Sequence, residues 1–312
     1  MQTTIQDISK EQNKVKDVIY VNDIRESLNE GYDNGFKRGK TTHYPELDYF
    51  FTWLPKEVTV ISGMGNIGKT TLLIFLCLLK AKFDNWKIGI FSPEQSPPEY
   101  FYNDLAHTLC GMSVDKSYHN RVSKEEYNKI LDFLQEHFFY VYPENDSPTP
   151  DYINSRFEDL IEKHGINTCI IDPFDQLEND WETTGRDDRY ISGFLRKNKR
   201  FANKHDIHYI IIAHTKGTIG LNEDGNFRMP HLMDIAGGAK WQGNSDNIIF
   251  VHRPYFLTDP QNTTVVWNSA KIKKIRQVGY RGEISLSFDF KSNRFYIENK
   301  CPLGDRDGEV PF

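Results

Sequence analysis

Short apolar runs punctuate the chain, and their spacing sorts them into strands and helices. Val58-Thr59-Val60-Ile61 is apolar and β-branched, as expected of a strand buried on both faces, and Thr71–Leu76 continues as an apolar helix. Lys87–Phe91 reads as a strand, Pro98–Cys110 and Lys124–Glu136 as helices, Phe138–Tyr142 as a strand and Pro150–His164 as a helix. Thr168–Ile171 and Tyr209–Ala213 are fully apolar, the mark of buried parallel strands, and amphipathic Arg189–His205 between them predicts the crossover helix. After Asn247 the runs Ile248–His252, Thr263–Ile275, Glu283–Phe290 and Arg294–Ile297 are joined by turn residues, which predicts an antiparallel extension. The whole is α/β with a mostly parallel core sheet. Residues 1–40 are polar, with a weak helical pattern at Val21–Leu28. They read as a linker or docking arm, a disordered leader being the alternative; residues 41–300 form the expected α/β domain and 301–312 an acidic C-terminal tail.

Between the strand at Val58 and the helix at Thr71 stands Gly63-Met64-Gly65-Asn66-Ile67-Gly68-Lys69-Thr70, which spells GxxxxGK[ST]. Strand, glycine loop and helix are the context this phosphate-binding motif requires. The loop lets backbone N–H groups turn inward, and the helix N-terminus adds its positive dipole end. With Thr71 at the helix start, these residues form the expected ATP cradle: Lys69 reaches the β- and γ-phosphates and the Thr70 hydroxyl takes a place on Mg²⁺.

Three more residues stand at strand ends. Asn167-Thr168-Cys169-Ile170-Ile171-Asp172 is an apolar strand closed by a carboxylate, about 100 residues beyond the loop, and Asp172 is the expected Mg²⁺ aspartate. Glu94, in Phe91-Ser92-Pro93-Glu94, reads either as the carboxylate that polarises the attacking water or as a cap for the helix after Pro97-Pro98. His214 closes another buried strand and reads as a γ-phosphate partner or as a surface histidine.

Composition narrows the class. Of 312 residues 38% are hydrophobic and 26% charged, which suits a globular domain and not a disordered chain. A net charge of −6 argues against a monomer coated with nucleic acid, but not against a ring that gathers a few cations in its channel. Cys77, Cys110, Cys169 and Cys301 lack any CxxC spacing and fit core positions in a reducing compartment, not a disulfide frame or zinc site. The start resembles no signal peptide and no run is long enough to span a membrane, so the expected location is the cytoplasm of a bacterial or phage-infected cell.

Several stretches in order, LPKEVTVISGMGNIGKTTLL, IGIFSPEQSPPE, TCIIDPFDQLE, IIIAHTKG, MDIAGGAKWQGNSDNIIFVHRP and KIKKIRQVGYRGE, resemble the helicase domain of Twinkle-type replicative helicases, relatives of the DnaB helicases and of phage primase-helicases. The resemblance runs from about Phe36 to Ile297. It implies a RecA-like P-loop motor, assembled as a homo-oligomeric, hexameric ring around single-stranded DNA and translocating 5′ to 3′. By motif position it makes Glu94 the catalytic carboxylate, His214 the γ-phosphate sensor heading a DNA-binding loop, and Lys274 with Arg276 the pair reaching the neighbour's ATP. A solvated basic strand face is the other reading of Lys271, Lys273, Lys274 and Arg276. No primase or zinc-ribbon module precedes the motor in this sequence, so priming is expected to be absent or supplied by another chain.

The expected DNA contacts are Lys216 and Arg228 in the loop Thr215–Leu232, and Lys240 just beyond it; the loop Asn179–Asp188 is acidic apart from Arg186 and suits phosphates poorly. Arg196-Lys197-Asn198-Lys199-Arg200 reads as the solvated face of the crossover helix. The acidic, Phe-ended tail is a candidate handle for a primase or polymerase, a frayed terminus being the alternative. Two rival functions remain at this level: a RecA-type recombinase, and an ATP-switched replisome scaffold that does not translocate.

Overall fold

The structure, a computed structural model, describes residues 15–117, 121–144, 148–178, 187–217 and 219–304, the side chains of Asp187 and Asp188 excepted. The acidic loop 179–186 and the tail Asp305–Phe312 lie outside the described residues.

The chain divides into two units, Met1–Arg38 and Gly39–Phe312. In the first, a 3₁₀ turn at Val21–Asp23 leads into α1 (Arg25–Asn34), so the expected helix at Val21–Leu28 starts later and runs further. Ile19, Val21, Tyr32 and Phe36 are all more than 60% exposed there, an unusual density of bare apolar side chains.

The second unit is built on one nine-stranded sheet, ordered β3-β2-β4-β5-β1-β6-β7-β8-β9. The strands are β1 (Val58–Gly63), β2 (Ile88–Phe91), β3 (Phe138–Tyr140), β4 (Thr168–Ile171), β5 (His208–His214), β6 (Asn247–His252), β7 (Thr264–Ile272), β8 (Gly282–Asp289) and β9 (Arg294–Tyr296). From β3 to β6 all pairings are parallel, and from β6 to β9 antiparallel. The antiparallel part therefore begins one strand later than the periodicity predicts. β6 lies parallel to β1, and Ile248 to Val251 are buried on both faces, as suits a strand inside the core.

Successive side chains on each core strand enter opposite layers. Ile61, Ile88, Ile90, Ile170, Ile210, Ile212, Ile249 and Val251 face the layer that holds α3 (Lys69–Asp84, after the short α2 at Pro45–Asp48), α4 (Pro98–Cys110) and α5 (Lys124–His137). Val58, Val60, Cys169, Ile171, Tyr209, Ile211, Ile248 and Phe250 face the layer of α6 (Pro150–His164), α7 (Asp187–His205) and α8 (Ala239–Asn244). Local signals set the helix starts. Ser123 and Glu126 form a reciprocal capping box at α5, and the Thr149 side chain accepts from Tyr152 N–H at α6. Cys77, Cys110 and Cys169 are buried and free, as apolar packing positions.

The expected strand Thr263–Ile275 ends at Ile272, and Ile275–Val278 forms a single helical turn, α9, before β8. Lys274 and Arg276 thus stand on a turn and not on a strand.

Leu76, at the centre of α3, is completely buried between sheet and helices. Leu76→Ala should lower unfolding free energy by about 2–5 kcal/mol. Urea denaturation checks this as a fall in midpoint at unchanged slope; a loss under about 1 kcal/mol would mean that the layer re-closes around the gap.

Candidate nucleotide and DNA site

Parallel strands bring their C-terminal ends to one edge, so β1, β2, β4 and β5 deliver Gly63, Ser92, Asp172 and His214 side by side. Gly63 pairs in register with His214. The turn into α3 requires a left-handed residue at its N-cap, supplied by Gly68 at φ 87°. A Cβ on Gly63 would sit 2.3 Å from the Val251 carbonyl oxygen, so only glycine lets the loop leave the sheet so close to β6.

At the foot of this loop, Asp172 is 1% exposed. Its Oδ2 accepts hydrogen bonds from the Thr70 hydroxyl and the Ser92 hydroxyl, each at 2.9 Å. Burial pushes the Asp172 carboxyl up from 3.8 to about 6; the Ser92 and Thr70 bonds pull it down, Glu94 pushes it further up, and Lys69 pulls it down. Lys69 is 6% exposed and donates to the Met64 carbonyl at 2.7 Å. Burial lowers its pKa, and Asp172, Glu94 and Asp175 oppose that. A hydroxyl and a carboxylate so placed are hard oxygen donors of the kind Mg²⁺ takes. Among the described residues no cluster of three or more His, Cys, Asp or Glu side chains suited to a metal occurs.

Glu94 lies exposed in the 3₁₀ turn Pro93–Gln95, within electrostatic reach of Lys69, Asp172 and His214. The N-cap of α4 is Pro97, not Glu94. His214 Nδ1 lies 3.1 Å from Asp175 Oδ2. That bond raises the histidine's pKa against its burial and the nearby Lys69, and it lowers that of Asp175. His214 is therefore an oriented side chain and not a loose surface one.

Beyond His214 the chain makes a closed loop, with Thr215 bridged to Ile235 and Leu221 to Phe227. Lys216 is exposed, and no ion pair engages it among the described residues. Arg228 is held in a two-point pair with Asp234, Nη1 to Oδ2 at 2.7 Å and Nη2 to Oδ1 at 2.8 Å, so its charge is already matched and it shapes the loop. Lys240 is half-buried in the first turn of α8.

Lys274 and Arg276 are not brought to this edge. Ile272 pairs with Asn247, which pairs with Thr59, so the turn that follows sits at the N-terminal edge of the parallel sheet. At ~3.3 Å per strand residue that is roughly 20 Å from the loop of the same chain, beyond the reach of a side chain. Lys274 pairs with Glu57 at 2.7 Å, while Arg276 is exposed.

Sequence reasoning missed Ser92 and Asp175, although both lie inside stretches it singled out. It also missed a cavity of about 180 Å³ beside the loop, lined by Asn66, Gly68, Thr71, Arg253, Phe288 and Phe290. Asn66, Gly68 and Thr71 belong to the motif already read, whereas Arg253, Phe288 and Phe290 come from far along the chain and were not singled out. A wider groove of about 850 Å³ lies along edge strand β3, between α5 and α6, and holds none of the loop residues.

Fold and site together define a RecA-like P-loop nucleotide-binding domain. The chain belongs to the DnaB-like helicase C terminal domain family, whose model matches residues 39–297. It is 29% identical over 238 residues to the Twinkle homolog protein, chloroplastic/mitochondrial, of Arabidopsis thaliana, covering 74% of this chain and 33% of that protein. The chain thus spans about a third of the length of this curated relative. Among solved structures it resembles one described as an ATPase domain, with TM-score 0.74, 17% identity and coverage of 89% of this chain and 99% of that one. It also resembles a DnaB-like replicative helicase described with its interactions with primase, with TM-score 0.70, 18% identity and coverage of 93% and 70%. No described helix is long and apolar enough to cross a membrane.

Because the folded-state value of Asp172 lies above its unfolded one, its ionised form costs stability above about pH 6. The cost disappears below about pH 4, where the group is protonated in both states. Asp172→Asn should therefore stabilise the nucleotide-free protein by up to about 3 kcal/mol near pH 7.5, and the gain should vanish near pH 4. Thermal melts at the two pH values check this, and a gain independent of pH would rule out burial of charge as its source.

Proposed function

We propose that this chain is an ATP-driven motor on single-stranded DNA that works as a ring, hexameric by family resemblance, and unwinds duplex DNA with 5′-to-3′ polarity during replication. One observation carries the reading. Lys69, Thr70 and Asp172 stand at one edge of the sheet and Lys274 with Arg276 at the other, and we read the two groups as the two halves of an ATP site. Neither half can complete the other within one chain, whereas neighbours in a ring can. The exposed apolar side chains of residues 15–38 suit an arm that docks on a second copy.

In this site the loop N–H groups and Lys69 hold the phosphates of ATP, and Asn66, Gly68, Arg253 and Phe290 line the cavity for its nucleoside end. Thr70 and Asp172 would hold Mg²⁺, which would supply charge to neutralise the phosphate oxygens. Glu94 takes the proton of the attacking water. His214, with Nδ1 held by Asp175, is left Nε2 to sense the γ-phosphate and passes the state of the site to the loop it heads. Lys216 and Lys240 contact the DNA backbone. The acidic tail remains the candidate handle for a primase or polymerase.

The first test is ATP turnover with and without single-stranded DNA on a sample of known oligomeric state. Stimulation by DNA is expected; its absence would favour a scaffold that does not translocate. Glu94→Gln should keep ATP binding while turnover falls by roughly 10²–10⁴-fold, and near-parental turnover would place the base elsewhere. His214→Ala should remove DNA stimulation more than basal hydrolysis; equal loss of both would make it purely catalytic. Mixing Arg276→Ala with Lys69→Ala subunits should restore activity that neither has alone. No recovery, with subunit exchange shown by tagged pull-down, would confine the finger to its own chain.

A further inference from the structure

Two buried carboxylates at the foot of β1 have no part in the nucleotide chemistry described above. Glu57 is 0% exposed and Asp246 2%. Lys199 bridges them, with Nζ 3.5 Å from Glu57 Oε1 and 2.6 Å from Asp246 Oδ2. Lys273 lies 3.2 Å from Asp246 Oδ1, and Lys274 lies 2.7 Å from Glu57 Oε1. Asp246 also accepts the Val58 N–H at 3.0 Å, which fixes its carboxylate to the strand. Glu57 Oε2 is buried with no hydrogen-bond partner.

Burying a carboxylate with one oxygen unpartnered costs free energy, so fold stability alone is a poor reason for Glu57. Its position supplies a better one. Lys273 and Lys274 lead directly into α9, which carries Arg276. The far end of that turn is also fixed: Val278 is buried, and the Tyr280 N–H donates to the Tyr49 carbonyl at 2.9 Å. Arg276 thus projects from a short turn tied down on both sides, at one side by an ion pair whose acid is fully buried.

We propose that Glu57 is a positioning residue for the finger turn: its carboxylate holds Lys274 and so sets where Arg276 stands when the nucleotide of a second copy meets it. The proposal rests on the in-trans reading of Arg276. A guanidinium acts on a transferring phosphoryl group only from the right place, and a misplacement of about 1 Å can cost about 100-fold in rate. In the sequence Glu57 stands six residues before Gly63, which would group it with the phosphate half of the site; the geometry groups it with the finger half.

Complementation between subunits separates the two assignments. Glu57→Gln keeps the shape and removes the charge; its ring should turn over about 10- to 100-fold more slowly, with the KM for ATP little changed. Mixed with Lys69→Ala subunits it should regain activity, and mixed with Arg276→Ala subunits it should not. The reverse pattern, or unchanged turnover, overturns the proposal. The Arg276→Ala with Lys69→Ala mixture is run beside it. If that control fails, the in-trans reading falls and takes the proposal with it; if the control recovers and the Glu57→Gln mixtures do not sort with the finger, the proposal falls alone. Lys274→Ala should reproduce the loss, and adding Glu57→Gln to it should slow the enzyme no further, since the carboxylate acts through that ammonium. A multiplied loss in the double variant also overturns the proposal. Should Glu57→Gln fail to fold, Glu57→Asp, which retracts the charge by one methylene, enters the same mixtures with the same expected pattern.

Discussion

The carboxylate of Asp172 ties together three strand ends that the chain supplies from far apart. It accepts from Thr70 after β1 and from Ser92 after β2, and it closes β4 itself. Its near-complete burial makes these two bonds necessary, because an ionised oxygen in the interior is tolerated only when partnered. The Thr70 hydroxyl in turn fixes the first turn of α3, whose N-terminus carries the phosphate loop. The loop's position is thus set by one polar node beneath it and by the close approach of Gly63 to β6 above.

That node can exist because the core strands are parallel. A parallel sheet sends every strand end of one kind to one edge, where loops are free to vary while the strands below stay buried. Such a sheet has a second edge as well, and here it also carries charged groups. The foot of β1 gathers Glu57, Asp246 and three lysines, and the turn bearing Arg276 departs from it. β1 joins the two groups, with the phosphate loop at its head and the acid that holds Lys274 at its foot. A rigid strand between them means that a subunit presents both faces at a fixed distance, which suits a closed ring of like subunits.

The loop after His214 is braced at three points among the described residues. Its base is closed by the Thr215–Ile235 bridge, its interior by the Arg228–Asp234 pair, and its tip by Asn226, whose side chain binds the Thr258 hydroxyl at 2.7 Å and accepts from the Thr258 N–H at 3.1 Å. Those contacts hold the loop to its own base and to the segment around Thr258.

Much of this was legible in the chain. The glycine motif needed only its flanking strand and helix to be read, and the apolar runs gave the core strands because burial on both faces leaves no polar alternation. Asp172, Glu94 and His214 were found as polar residues closing apolar strands, and the family followed from several motifs in order. Tertiary structure decided what spacing cannot express. The periodicity of Ile248–Val251 fits either neighbour, and only the open flank of β1 made β6 parallel. Lys274 and Arg276 read as strand residues, yet the β6–β7 register brings them to the edge opposite their own phosphate loop. Arg228 looked like a DNA contact by charge, and packing matched that charge with Asp234 six residues on. Ser92, Asp175, Arg253 and Glu57 carried no local signal, because what distinguishes each is a partner distant in sequence. Local residue chemistry determined which charged and polar groups this chain has, and only the closing of the sheet decided which of them share one edge.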